Sequence, residues 1–313
     1  MKLLVVGAGA SYAEGCAAGL PKERCPPLMK NFASTLWGDY NEHYLLSDFL
    51  REQGHEPRQD ARQTFIDLEA KPTKGINLER FFEFAYAHRD FVPPGHEHFS
   101  PATSYENLLL HGILRPLSDL LLFGFFASKS PSFPVAEEVA AMLRPGDWVL
   151  NFNYDTIFEC AARNAGHTLT FVPNSADPQS LLISKPHGSF NLFVGSKGFS
   201  FREPLFAGTV QPPDARNFIG FLPPRLNKNF SQHPVAKRIV DATSFIAPER
   251  IIFWGVGFTE SDADLVALLS QWCRQAEAVE FINPSEEDVT RAQDLLKTRG
   301  KRFENSQEWC RSN

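Results

Sequence analysis

The feature that most constrains this chain is its first turn. Leu3-Leu4-Val5-Val6 is a short apolar run, and Gly7-Ala8-Gly9-Ala10-Ser11 follows at once. An apolar run bounded by glycines reads as a buried strand, and Gly-X-Gly before a hydroxyl reads as a tight turn that opens a helix. Glycines let the backbone approach a bound group, and a helix N-terminus presents unpaired N–H groups to an anion. The stretch predicts a phosphate cradle. A plain tight turn is the alternative, because two glycines after an apolar run are common in α/β proteins.

Helical spacing of apolar positions follows at residues 28–37, 44–51, 77–86 (with Asn77 as its N-cap), 103–127 and 134–143. The prolines and glycines at 19–27 and 91–101 predict loops. No Val/Ile-rich run stands between residues 20 and 146. Strand-type runs return at 148–153, 168–172, 180–185, 250–254 and 278–282, the last expected strand, and helices are predicted at 156–165, 236–247, 263–275 and 286–297. Residues 195–235 read as irregular or as a lid. Strands alternating with helices imply an α/β fold with a Rossmann-like, mostly parallel sheet. Residues 1–20 and 146–313 would form this core, and 21–145 a mainly helical insertion after the first strand.

Composition narrows the function classes. A net charge of -6 over 313 residues argues against a sequence-blind grip on nucleic acid, which needs a basic face. No apolar run is long enough for a membrane span and the start has no basic segment before an apolar one, so a cytoplasmic chain with no membrane partner is expected. Cys16, Cys25, Cys160, Cys273 and Cys310 are never two residues apart, which leaves no Cys-x-x-Cys zinc pair, and no metal is expected.

In an open parallel sheet, ligands bind beyond the carboxyl ends of the strands. There this sequence places Gly7 to Ser11, then Asn153 and Asp155, then His187-Gly188, then Gly255-Val256-Gly257 with Ser261 and Asp262, then Asn283-Pro284-Ser285. Each has a plain reading: Asn153-Tyr154-Asp155 as a helix cap and turn, His187 as a turn histidine, Gly255 and Gly257 as turn geometry, Asn283 as a helix opener. Together they put polar or glycine-rich residues at five strand ends of one sheet.

In that order, Gly7-Ala8-Gly9-Ala10-Ser11, Asn153-Tyr154-Asp155, His187-Gly188, Gly255-Val256-Gly257 and Ile282-Asn283 resemble the sirtuin NAD-binding core. Asn151 to Asp155 and Lys185 to Ser189 are closer still to the sirtuin-like NAD hydrolase domains of prokaryotic antiphage defence systems. The resemblance spans residues 1–20 and about 146–290. It implies NAD as substrate, cleaved at the nicotinamide–ribose bond. Gly7, Ala8, Gly9, Ala10 and Ser11 would hold the diphosphate. Asn153 would orient ribose hydroxyls or water, Asp155 would accept from the nicotinamide carboxamide, and His187 would act as base. Gly188, Gly255, Gly257 and Asn283 would line the bound dinucleotide. The four-cysteine zinc ribbon and the Pro-x-Phe-Arg loop of sirtuin deacylases are both missing. A zinc-free deacylase and a silent NAD or ADP-ribose binder are the alternatives. A dehydrogenase is disfavoured by Tyr12 at the third glycine position. By analogy with defence relatives, a gate is expected: a homo-oligomer, or a separate sensor or ATPase of the Argonaute or HerA type.

Overall fold

The computed structural model describes residues 1–28, 32, 44–57, 60–71, 76–88, 115–121, 124–125, 131–173, 177–195, 198–201, 218–221, 234–258 and 262–313. Its body is a seven-stranded sheet, all parallel, in the order β3-β4-β2-β1-β8-β9-β10. The strands are β1 (Lys2–Val6), β2 (Trp148–Asn151), β3 (Leu169–Phe171), β4 (Leu181–Ser184), β8 (Arg250–Trp254), β9 (Ala278–Ile282) and β10 (Lys301–Phe303). This is the expected Rossmann-like α/β sheet. A second, antiparallel sheet has the order β6-β5-β7, from β5 (Gly188–Gly195), β6 (Gly198–Phe201) and β7 (Phe218–Phe221).

The first strand is central, which explains why it lacks polar alternation. Leu4 and Val6 join one apolar cluster, Leu3 and Val5 another, so each face of the sheet has its own core. The helices among the described residues are α1 (Ala8–Ala17), α2 (Tyr44–Glu52), α3 (Ala61–Glu69), α4 (Leu78–Ala87), α5 (Arg115–Leu121), α6 (Pro134–Ala141), α7 (Ile157–Asn164), α8 (Pro234–Thr243), α9 (Ala263–Gln275), α10 (Glu286–Leu296) and α11 (Ser306–Arg311). Between α1 and β2 no strand occurs among the described residues. Phe49, Phe65 and Phe81 of α2, α3 and α4 share the cluster of Leu4 and Val6, with ring centroids 5.6–6.2 Å apart. Asn77 caps α4 by accepting the Arg80 N–H, and Ser285 caps α10 by accepting the Asp288 N–H. Among the described residues no helix is long and apolar enough to cross a membrane.

Two expectations need correction. Residues 278–282 are not the last strand: β10 extends the sheet and α11 follows. Lys301-Arg302-Phe303 carries two charges in three residues, and only Phe303 is buried, so an edge strand of this length has no hydrophobic pattern to read. Residues 195–235 are not irregular throughout, since β6 and β7 lie within them and α8 begins at Pro234; most of the rest of that span, and most of the predicted helices at 28–37 and 103–127, fall outside the described residues. Helix α3, capped by Asp60 through the Arg62 and Gln63 N–H groups, stands in a region without a clear sequence signal.

Candidate functional site

The register aligns the strand ends. Val6 lies level with Asn151 and with Trp254, and Trp254 with Ile282, while Leu150 pairs with Ser184. From β1 the chain passes to β2 on one side, and only later to β8 on the other. The crevice at such a switch point is where doubly wound sheets bind ligands.

At this point the glycines form a joint. The Gly7 N–H donates to the Trp254 carbonyl, and the Gly9 N–H to the Gly255 carbonyl at 2.9 Å. Gly255 has φ +61, and a Cβ there would stand 2.2 Å from the Ala10 nitrogen; one on Gly7 would stand 2.6 Å from the Gly255 oxygen. Only glycine permits this approach of backbone to backbone. Part of the predicted phosphate turn therefore serves to seat α1 against β8. Gly257 differs: it is exposed and a Cβ there would meet open space. Ala8 is half-buried and Ala10 buried in the first turn of α1.

The turn after β2 is held by side chains from its surroundings. Asn151 Oδ1 accepts the Asn153 N–H (2.9 Å). The carbonyl of Phe152 faces His187 Nδ1 (3.1 Å), that of Tyr154 accepts from Ser189 Oγ (3.1 Å), and that of Asp155 accepts from Lys185 Nζ (2.6 Å). Lys185 also meets Glu159 Oε1 at 2.9 Å, both side chains being fully buried, and Asn151 Nδ2 donates to the same oxygen. A cation and a carboxylate thus lie together beneath the turn.

The side chains of the turn point back to β1. Asn153 Nδ2 donates to the Gly7 carbonyl (3.0 Å) and to Ser11 Oγ (2.8 Å). Ser11 Oγ donates to Asp155 Oδ2 (2.8 Å), and Asp155 Oδ1 accepts the Ile157 N–H at the start of α7. Gly7, Ser11, Asn153 and Asp155 are therefore one hydrogen-bonded unit, buried where β1 and β2 end. Burial pushes the Asp155 carboxyl up, against the opposing pull of Lys185, the Ile157 N–H and the Ser11 hydroxyl. Both Asp155 oxygens accept donors of the protein itself, which gives this carboxylate an inward, ordering role.

His187 stands in a turn that its neighbours specify. The Gly188 N–H donates to the Lys185 carbonyl, Pro186 supplies the fixed φ of the second turn position, and Gly188 has φ +79. The ring stacks on Phe152, centroids 5.1 Å apart. Its Nε2 lies 3.4 Å from Asp262 Oδ1. Asn283 is tied to its own surroundings, its Oδ1 accepting the Ser285 N–H and its N–H donating to the Phe303 carbonyl.

The structure thus joins six of the expected positions, Gly7, Gly9, Ser11, Asn153, Asp155 and Gly255, through α1 and the ends of β1, β2 and β8. His187 reaches the same turn through Phe152. Asp262, Asn151 and Lys185 stand in the strand-end and motif stretches named from the sequence but are given no task there, and Glu159 is not singled out at all. Glu159 had a signal: an acid within the apolar run Ile157-Phe158-Glu159-Cys160-Ala161-Ala162 implies a buried partner. Lys185 had one too, as the continuation of the run Leu181-Leu182-Ile183-Ser184, whose residues are all buried. Comparison of the chain with protein-family models and with curated proteins finds no match in either.

Proposed function

We propose that this chain hydrolyses NAD at the bond between nicotinamide and ribose. The observation that carries the reading is the unit of Gly7, Ser11, Asn153 and Asp155 at the switch point, with His187 on the next strand end. The strand order supports a dinucleotide in that crevice, and the open space at Gly257 leaves room beside it.

The leaving nicotinamide departs neutral, so a strong general acid is not required. The transition state resembles an oxocarbenium ion, as in glycoside cleavage. In this reading the turn of residues 7–11 meets the diphosphate at the start of α1, where the Gly7, Gly9 and Ala10 N–H groups are bonded to the Trp254, Gly255 and Gly7 carbonyls and the Ser11 hydroxyl to Asp155. Asn153, held on Gly7 and Ser11, sets the position of ribose or water. His187 Nε2 takes a proton from water or a ribose hydroxyl as the new C–O bond forms and the C–N pair leaves with nicotinamide. Asp155 orders Ser11 and Asn153. Resemblance to defence domains further suggests an effector that drains NAD behind a gate, either an oligomer or a separate sensor or ATPase. Ungated turnover would drain the host's own pool.

The test is to incubate the purified chain with NAD, alone and with candidate partners, and to follow nicotinamide and ADP-ribose by chromatography. Nicotinamide release without an acylated peptide is expected, lost by about 10²–10⁴-fold in His187→Ala. Binding without turnover would leave a silent module, and release that requires an acylated peptide would mark a deacylase.

A further inference from the structure

Asp262 precedes α9 at the position where aspartate ordinarily accepts a helix N–H. Asp60, Asn77, Ser285 and Asn305 do this for their own helices, whereas Asp262 makes no side-chain cap bond. Its carboxylate lies beside His187 Nε2 instead, 3.4 Å away, both side chains about a tenth exposed (10% and 11%). On the other side of the ring, Nδ1 faces the Phe152 carbonyl. A carbonyl only accepts, so Nδ1 holds the hydrogen and Nε2 is the basic nitrogen. A proton arriving at Nε2 then lies next to a carboxylate, while the ring is fixed by Phe152 from two sides.

We propose that Asp262 is a positioning residue for His187, holding the Nε2 edge of the ring and balancing the imidazolium that forms when Nε2 takes a proton. This deepens the hydrolase reading and rests on it for its kinetic consequence. The balance is simple: an O–H bond of water breaks, the proton goes to Nε2, the oxygen bonds to the ribose carbon, and the C–N electron pair leaves with nicotinamide. The other charged groups near the turn have their own partners: Asp155 faces Ser11 and the Ile157 N–H, and Lys185 faces Glu159 and the Asp155 carbonyl. Among the described residues, Asp262 is a carboxylate within ion-pair distance of Nε2.

The test uses the full chain with Asp262→Asn and Asp262→Glu, in two arms. In the first, NMR of the His187 imidazole reads how firmly the ring is held: its signals should move and broaden in Asp262→Asn, because the neighbour at Nε2 has changed, and return towards the parental ones in Asp262→Glu. In the second, NAD cleavage is followed: Asp262→Asn should lose at least about tenfold in kcat with KM little changed, and Asp262→Glu should restore part of it. A merely structural role would lower the melting temperature and raise KM together and leave the His187 signals in place. That result, or an Asp262→Asn variant with parental kcat and parental His187 signals, overturns the proposal. If the parent cleaves no NAD, the hydrolase reading falls while the NMR arm still decides the pair.

Discussion

Lys185→Met is the substitution whose cost the structure makes most definite. It matches the length of the lysine stem but removes the ammonium from a pocket where Lys185 and Glu159 are both fully buried. Glu159 is left as a buried carboxylate without its counter-charge, and the Asp155 carbonyl loses its donor. Breaking a buried pair from one side costs about 3–5 kcal/mol. The entropy of unfolding is about 2.1 cal/mol/K per residue, or ~0.7 kcal/mol/K for 313 residues, so a loss of ~4 kcal/mol lowers the melting temperature by about 6 °C. Lys185→Met/Glu159→Gln removes both charges and keeps an acceptor for Asn151. It should recover most of this, ending within about 3 °C of the parent. Calorimetry or dichroism melts of the two single variants and the double variant complete the cycle. Losses that simply add would refute the coupling, and with it the view that the buried pair anchors the Asn153 turn.

Other consequences are equally direct. Glu14 in α1 is buried, accepts the Ala136 N–H at the start of α6, and is pushed up to about 7 by burial from an ordinary 4.5. A carboxyl raised on folding makes the fold most stable below the unfolded value. Stability should decline as pH rises from about 4.5 to about 7, by roughly 3 kcal/mol in all. Glu14→Gln should melt higher than the parent at pH 8 and no higher at pH 4; since Glu69 is also pushed up to about 7, the difference between variant and parent is the quantity to read. Gly255→Ala should fail to fold or melt far lower, because of its φ and the contact with Ala10, whereas Gly257→Ala should melt like the parent. If Gly257 borders the dinucleotide, its variant will bind NAD more weakly at unchanged stability, as calorimetric titration would show.

The sheet was legible because its central strands are buried on both faces: runs such as Leu3 to Val6 and Ile251 to Trp254 cannot be read as anything half-exposed. The positions of Asn153, His187 and Gly255 followed from the rule that loops at the carboxyl ends converge. What could not be read was the direction in which polar atoms point. Ser11 reads as a phosphate hydroxyl, yet its partners are Asn153 and Asp155, brought to it across more than 140 residues. Gly7 and Gly9 read as ligand glycines, yet their nearest neighbour is Gly255. Asp262 looks like a helix cap from its place before α9, and only the fold turns it toward His187. Local pattern gives the position of such residues along the chain, and long-range pairing gives their use.

A division follows from this network. The groups beneath the turn, Lys185, Glu159, Asn151, Asp155 and Ser11, are engaged with one another and leave little hydrogen-bonding capacity for a ligand. They form a floor that fixes the turn, so loss of any of them should cost stability and binding together. His187 Nε2 is itself buried, with Asp262 beside it, and in the hydrolase reading it is the atom that takes up a proton from what is bound. A change there should alter turnover far more than the melt. The two sets of variants thus separate the hydrolase from a silent binder on the same construction: in a binder, Lys185→Met would weaken NAD binding while His187→Ala would leave every measured property close to that of the parent. In a hydrolase, His187→Ala would release nicotinamide at least about a hundredfold more slowly, far more than the few degrees of melting temperature lost with a nine-tenths-buried ring stacked on Phe152 would explain.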